Sequence, residues 1–258
     1  MEEAITLQKK VLEIRRRLLG ETDIDTVTAM DNLAWLYMKE ENHWIDAMKL
    51  GEEVLERRMI SLGADHPDTL VTMNNLAVTY DKLGKLKDEE NLNLQEKVLN
   101  ARKGLLGVEH PETFVAMNNL ADTYRQQNKF EDAEKLYMEL LETKTRILGA
   151  EHIDTLTAMS ELVVTYHRQN RSEDAKKLEE RVLEARSRLQ GVNHPDTLTA
   201  MCNLAIIYRN IGNSEEGLRL AQQAFETRKN VLGVDHPDTI LSERVLRSLQ
   251  CTSCQMTM

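Results

Sequence analysis

Apolar side chains recur along this chain at helical spacing. In HPDTLVTMNNLAVTYDKLG, residues 66–84, Leu70, Met73, Ala77 and Tyr80 follow one another at steps of 3, 4 and 3, which gathers them on one face of a helix. A second type of segment, such as FEDAEKLYMELLETKTRILG at 130–149, repeats the pattern with Ala133, Leu136, Leu140 and Leu141. The two types alternate, and between them a short polar stretch returns. LGADHPDTL at 62 reappears as LGVEHPETF at 106, LGAEHIDTL at 148, QGVNHPDTL at 190 and LGVDHPDTI at 232, with a degenerate first copy, LGETDIDTV, at 19. The glycines of these stretches, Gly20, Gly63, Gly107, Gly149, Gly191 and Gly233, lie 43, 44, 42, 42 and 42 residues apart. A tyrosine follows each of the first five by 17 residues: Tyr37, Tyr80, Tyr124, Tyr166 and Tyr208. One unit of two helices is therefore repeated.

The polar stretch reads as the end of one helix and the start of the next. Gly63 suits the left-handed conformation that closes a helix, Pro67 tolerates the missing N–H of a first helical position, and Asp68 places negative charge in the first turn. His66, His110, His152, His194 and His236 then occur once per unit, a full helix pair apart, so no local spacing brings two together as metal ligands. They are expected to hydrogen-bond neighbouring backbone.

The array opens on a half unit, because residues 4–19 align without gaps on 175–190, a second helix. It closes on HPDTILSERVLRSLQ, a first helix in which Arg247 replaces the small residue and Gln250 the tyrosine, as in the terminal repeats that cap solenoids. The expected organisation is a half repeat at 1–20, full repeats at about 21–63, 64–107, 108–149, 150–191 and 192–233, a capping helix at 236–250 and a flexible tail at 251–258, about twelve helices in one array. Two irregularities stand out. Residues 86–99 carry two extra residues, expected within the second helix, with Glu89 at the position of a small residue, so looser or bent packing is predicted there. MKEENHW, near 40, carries one extra residue, expected in a loop.

Composition narrows the function. Of 258 residues 41% are hydrophobic and only 4% aromatic, with 4 prolines and 11 glycines, which suits an all-α chain. No apolar run approaches the roughly 20 residues of a membrane span, and the start has no signal-peptide character, so a cytoplasmic protein is expected. The net charge of −10 without a basic block argues against nucleic acid and anionic membrane as partners. Cys202, Cys251 and Cys254 form no disulfide framework, and the CTSC pair lacks the second pair a zinc site needs. Neither a phosphate loop, a nucleophile elbow nor an HExxH helix is present, so no catalytic residue, metal or cofactor is expected. The RRR at 15–17 matches Arg186 and Arg188 at the end of a second helix and reads as compensation of the helix dipole.

Helix pairs with a small residue at the crossing, Ala34, Ala77, Ala121 and Ala205 in first helices and Ala47, Ala133 and Ala175 in second ones, resemble tetratricopeptide repeats. The 42-residue period, the NNLAxxY pattern and the LGxxHPDT joint resemble the kinesin-light-chain type of this repeat, also found in NLR-like signalling ATPases. The resemblance implies a right-handed α-solenoid of antiparallel helix pairs whose first helices line a concave groove. The groove stripe would hold Asn32, Asn75, Asn119 and Asn203, with Asn74 and Asn118 beside them, then Trp35, Lys39, Lys82 and Arg168, flanked by Arg125 and Arg209. Glu161 stands where a fifth asparagine would continue the row. A side-chain amide both donates and accepts, so such a row could pair with the backbone of an extended peptide; it could equally hydrogen-bond neighbouring helices. The resemblance thus implies a non-enzymatic scaffold that binds a protein or peptide segment. Within the stripe Lys39, Lys82 and Arg168 stand against Asp122 and Glu161, a sum of +1 in a chain of −10, and Trp35 offers apolar contact, so a lean toward acidic segments with an apolar anchor is expected. The alternative is the ligand-sensing array of a larger signalling ATPase. The uncovered N-terminal half repeat is also expected to allow end-to-end self-association.

Overall fold

The computed structural model describes residues 2–84 and 89–255. Among these the chain forms twelve α-helices and no strand, and it divides into two compact units, Met1–Lys129 and Phe130–Met258. The first unit contains α1 (Glu2–Leu19), α2 (Ile24–Met38), α3 (Trp44–Ser61), α4 (Pro67–Lys82), α5 (Glu89–Leu106) and α6 (Pro111–Gln126), with a 3-10 turn at Glu41–His43 between α2 and α3. The second contains α7 (Phe130–Leu148), α8 (Ile153–Arg168), α9 (Ser172–Leu189), α10 (Pro195–Asn210), α11 (Ser214–Leu232) and α12 (Pro237–Gln255). In each unit consecutive helices pack on one another across short connections, as antiparallel pairs in an α-solenoid do.

The joints explain where the helices begin. His66 adopts extended backbone (φ −66°, ψ 138°) and its Nδ1 accepts the N–H of Asp68 at 3.2 Å, so the imidazole is the N-cap of α4. His110, His152, His194 and His236 cap α6, α8, α10 and α12 in the same way, each at 3.2 Å. An Nδ1 that accepts must leave the ring proton on Nε2, which specifies one neutral tautomer. In the degenerate first copy Asp23 does the same work, accepting the N–H of Asp25 at 2.9 Å. Upstream, Gly63 and Gly191 both take φ +92°, a conformation costly to any residue with a Cβ.

Packing depends on the small residues that the pattern singles out. Ala47 and Ala77 in the first unit, and Ala175 and Ala205 in the second, are buried at the crossings. In the fifth repeat the crossing residue of α11 is Gly217, and a Cβ there would come within 2.7 Å of the Ala205 carbonyl oxygen, so α10 and α11 approach too closely for alanine.

A second tie joins each second helix to the next first helix, and it is invisible in hydrophobic periodicity. Arg15, Arg58 and Arg102 in the first unit donate to the backbone carbonyl ten residues downstream, at 2.6, 2.9 and 3.0 Å. Lys144, Arg186 and Arg228 do so in the second, at 3.4, 3.1 and 3.2 Å. Arg58 is also paired with Asp31 at 2.8 Å, and Arg228 donates to Ser242 and Thr199 at 2.7 Å each. Arg58, Arg102, Arg186 and Arg228 are buried. Dipole compensation therefore understates Arg15 and Arg186: they are structural donors that satisfy carbonyls at the start of the following helix.

Two predicted details change. The first part of the 86–99 stretch, residues 86–88, lies outside the described residues. Helix α5 itself has 18 residues, as α9 does, so the extra residues precede it. Its crossing residue is Asn91, fully buried, and Glu89 is the exposed first residue of the helix. Asn91 is accommodated by a polar chain: its Nδ2 donates to Asp81 at 2.7 Å, while Gln95 Nε2 reaches Asn91 Oδ1 at 3.2 Å and Thr123 Oγ1 at 2.7 Å. Burial pushes the Asp81 carboxyl up to about 6. The C-terminal helix does not end at 250 but runs through CTSC to Gln255, because nothing in that tetrapeptide interrupts a helix. On α12, Arg247 at the crossing position is exposed and paired with Glu243 at 2.6 Å.

Candidate interaction site

Helices α2, α4 and α6 carry the first unit's part of the predicted stripe. Asn32 is exposed and Asn75 half-buried, and neither side-chain amide hydrogen-bonds to another group among the described residues. Asn119 is also half-buried and is engaged, its Nδ2 donating to Asn74 Oδ1 at 2.9 Å, which ties α6 to α4 and leaves its own Oδ1 as an acceptor. Asn118 is half-buried. Around this row Trp35, Val71 and Val115 are exposed to 45, 39 and 50%, so apolar surface flanks the amides. Lys39 lies with its Nζ 4.7 Å from the Trp35 ring centroid, and Lys82 5.3 Å from that of Trp44. Arg125 forms an ion pair with Asp122.

The second unit treats its stripe differently. Asn203 Nδ2 donates to Glu179 Oε1 at 3.1 Å, drawing the amide toward α9. Glu179 is fully buried, its Oε2 has no hydrogen-bond partner, and desolvation holds its carboxyl up at about 7 against the bond from Asn203 and the charge of Arg186. Glu161 interrupts the row on α8, Arg168 is exposed, and Arg209 donates to Ser248 at 3.2 Å. Burial and the neighbouring charges of Arg168 and Arg209 push the His167 imidazole below its ordinary value. The four stripe asparagines thus fall into two classes, two with free amides and two recruited into helix–helix bonds.

The joint histidines are spent as helix caps, and among the described residues no group of three or more His, Cys, Asp or Glu side chains could hold a metal ion. Cys202 is buried 3.6 Å from Ser242 Oγ, and burial pushes its thiol pKa up, away from nucleophilic character. Sequence reasoning missed Glu179 and the arginine ties. The signal for the ties was present in the recurrence of Arg or Lys ten residues before each first-turn acid.

No helix among the described residues is long and apolar enough to cross a membrane. The tetratricopeptide-repeat pattern matches residues 1–59 and, in four consecutive copies, 69–112, 113–154, 155–196 and 197–238. Among solved structures, BtubC (BKLC) from P. vanneervenii is 28% identical, with a TM-score of 0.72 over 92% of this chain and 93% of that one. The kinesin light chain nearly identical TPR-like repeats of Podosopora anserina are 24% identical, with a TM-score of 0.71 over 80% of this chain and 96% of that one. A STAND signal transduction ATPase with a tetratricopeptide repeat sensor from Pyrococcus horikoshii is 16% identical, with a TM-score of 0.65 over 95% of this chain and 36% of that one. No curated protein matches the chain. Helix pairs at this period, capped at each joint and crossed at small residues, together with repeat matches along most of the sequence, place the chain in the tetratricopeptide repeat family.

Proposed function

We propose that the protein is a non-enzymatic scaffold whose first-helix face in the unit Met1–Lys129 holds an extended segment of a partner protein. Tetratricopeptide repeats generally serve as protein-interaction scaffolds, which supports the coarse reading. The observation that carries the finer one is the pair of free amides at Asn32 and Asn75, beside exposed Trp35 and Val71. A side-chain amide without an internal partner can donate to a peptide carbonyl and accept from a peptide N–H without selecting the peptide's side chains. Trp35 supplies a large apolar contact surface. Lys39 and Lys82, each resting over an indole, offer positive charge to an acidic segment in a chain of net charge −10. In the second unit Asn203 is committed to Glu179 and Glu161 stands in place of an asparagine, so the peptide contact is assigned to the first unit. The cytoplasm is the compartment this reading assumes.

The test uses fluorescein-labelled peptides selected from a random library on the full chain, measured by fluorescence polarisation. Loss of two backbone bonds at about 1 kcal/mol each should weaken binding of a selected acidic peptide by at least about tenfold in Asn32→Ala/Asn75→Ala. The circular dichroism should stay unchanged. Equal binding by this folded variant overturns the proposal. A second reading, a ligand-sensing array within a larger signalling ATPase, draws on the likeness to the STAND protein's repeat sensor. A nucleotide-binding motif encoded in the same gene decides for it, and an upstream heptad coiled coil decides against it.

A further inference from the structure

Three tyrosines are tied to the second helix of the preceding repeat by the same hydrogen bond. Tyr80 donates to Glu52 at 2.8 Å, Tyr124 to Glu96 at 2.7 Å and Tyr208 to Glu180 at 2.9 Å, always 28 residues back. Tyr166 breaks the series, because the residue 28 places before it is Met138. The methionine thioether is only a weak acceptor in the carboxylate's place, and Met138 is left 50% exposed on α7. Arg171 lies over the Tyr166 ring instead, its guanidinium 4.3 Å from the ring centroid and held by Glu134 at 2.8 Å and Asp174 at 2.9 Å.

A cleft of about 740 Å³ opens at this place, between α7 and α9. Two other clefts of the molecule hold about 360 and 170 Å³. Leu141, Leu162, Leu178 and Tyr166 line it with Met138, so its surface is mainly apolar. The two walls differ in charge. On α9, Lys177 and Arg181 stand one helical turn apart, and neither forms an ion pair among the described residues. On α7 the wall carries Glu142, and Glu139, which is already engaged within the fold. Asp174 and Lys135, also at the rim, are already paired, with Arg171 and with Asp132 at 3.1 Å.

We propose that this cleft is a docking site for an amphipathic helix of a partner protein, its apolar face against Met138, Leu141, Leu162 and Leu178 and its acidic flank against Lys177 and Arg181. A cation pair spaced by one turn matches acids spaced by one turn on a helix lying along α9. The opposite wall favours a basic flank on the same helix. An occupant with charges of both signs on its two edges is therefore required, which a fatty acid or other simple anionic amphiphile lacks. The cleft's volume is in the range that holds a few large apolar side chains. This site is independent of the asparagine face, which belongs to the other unit.

The full chain, labelled with ¹³C-methyl methionine, is titrated with a synthetic helix-stabilised peptide bearing Leu at i, i+3, i+4 and i+7, Glu on one flank and Lys on the other. The Met138 methyl resonance, assigned by its loss in Met138→Leu, should move saturably. Met138→Glu, which restores the residue that accepts from Tyr80, Tyr124 and Tyr208 in three other repeats, should weaken the peptide by about tenfold or more while the melting temperature stays level or rises. Lys177→Glu/Arg181→Glu should weaken it similarly, and Asn32→Ala/Asn75→Ala should leave it unchanged. The proposal is overturned if the Met138 methyl does not respond, if folded Met138→Glu binds as well as the unaltered protein, or if dodecanoate shifts the same resonance saturably and the peptide does not.

Discussion

Glu179→Gln should stabilise the protein at neutral and alkaline pH. The carboxyl is fully buried on α9, receives one hydrogen bond, from Asn203 at 3.1 Å, and leaves Oε2 without a partner. At the equivalent position the other repeats carry Gly51, Gln95, Tyr137 and Ala221, all uncharged. Desolvation raises the Glu179 carboxyl from its ordinary 4.5 to about 7, so the folded state holds a proton that the unfolded chain has already lost. The sign follows from linkage. Between pH 4.5 and about 7 the native state binds more protons than the unfolded one, so stability falls as pH rises through this window; above it the fold carries the full burden of a buried carboxylate. The interval from 4.5 to about 7, at 1.36 kcal/mol per pH unit, amounts to about 3 kcal/mol. Glutamine keeps the oxygen that accepts from Asn203 and removes the charge. Urea or thermal denaturation at pH 5 and at pH 8 should therefore show the two proteins converging at the lower value. At the higher value the variant should be more stable by about 3 kcal/mol, roughly 6–12 °C in melting temperature. If both proteins lose stability in parallel between these pH values, or if the variant is the less stable at pH 8, Glu179 is not a buried acid under strain and the reasoning fails.

Gly217→Ala should destabilise the second unit by about 1–3 kcal/mol, because the added Cβ would press on the Ala205 carbonyl oxygen at 2.7 Å; a calorimetric melting temperature equal to that of the unaltered protein would contradict the close approach of α10 and α11. His66→Ala should cost about 1 kcal/mol in urea denaturation through loss of the α4 cap, whereas His66→Asp should retain most of the stability, as Asp23 does at the equivalent joint; equal loss in both would show that the imidazole acts by something other than accepting the Asp68 N–H.

The elements were legible because their boundaries are local. Gly63 closes a helix through its own positive φ, His66 opens the next by accepting a backbone N–H two residues on, and Pro67 and Asp68 fit the first turn. None of this needs a distant contact, so a recurring string of nine residues was enough to count the helices and assign the histidines to the joints. The apolar steps in residues 66–84 likewise marked the buried face, where Leu70, Met73, Ala77 and Tyr80 all lie. The reading of Glu89 as the crossing residue had a local cause too: it follows Tyr80 by nine residues, as Ala133 follows Tyr124 and Ala175 follows Tyr166, whereas the buried Asn91 precedes Val98 by seven, as Ala133 precedes Leu140 and Ala175 precedes Val182.

The sequence by itself determined the repeat, the helix starts and stops, and which positions face the core, since each is set by the chemistry of residues within a turn or two of one another. Only the tertiary structure decided which polar side chains have partners. Asn75 and Asn203 occupy the same place in their repeats, yet one amide is free and the other is drawn to Glu179, 24 residues away on α9. Tyr166 looks like Tyr80, Tyr124 and Tyr208 until Met138, on α7, is found where a glutamate accepts those three. A hydrogen bond depends on both members and on the packing that brings them together, so a motif that names one residue cannot say whether that residue is engaged within the fold or open to a partner.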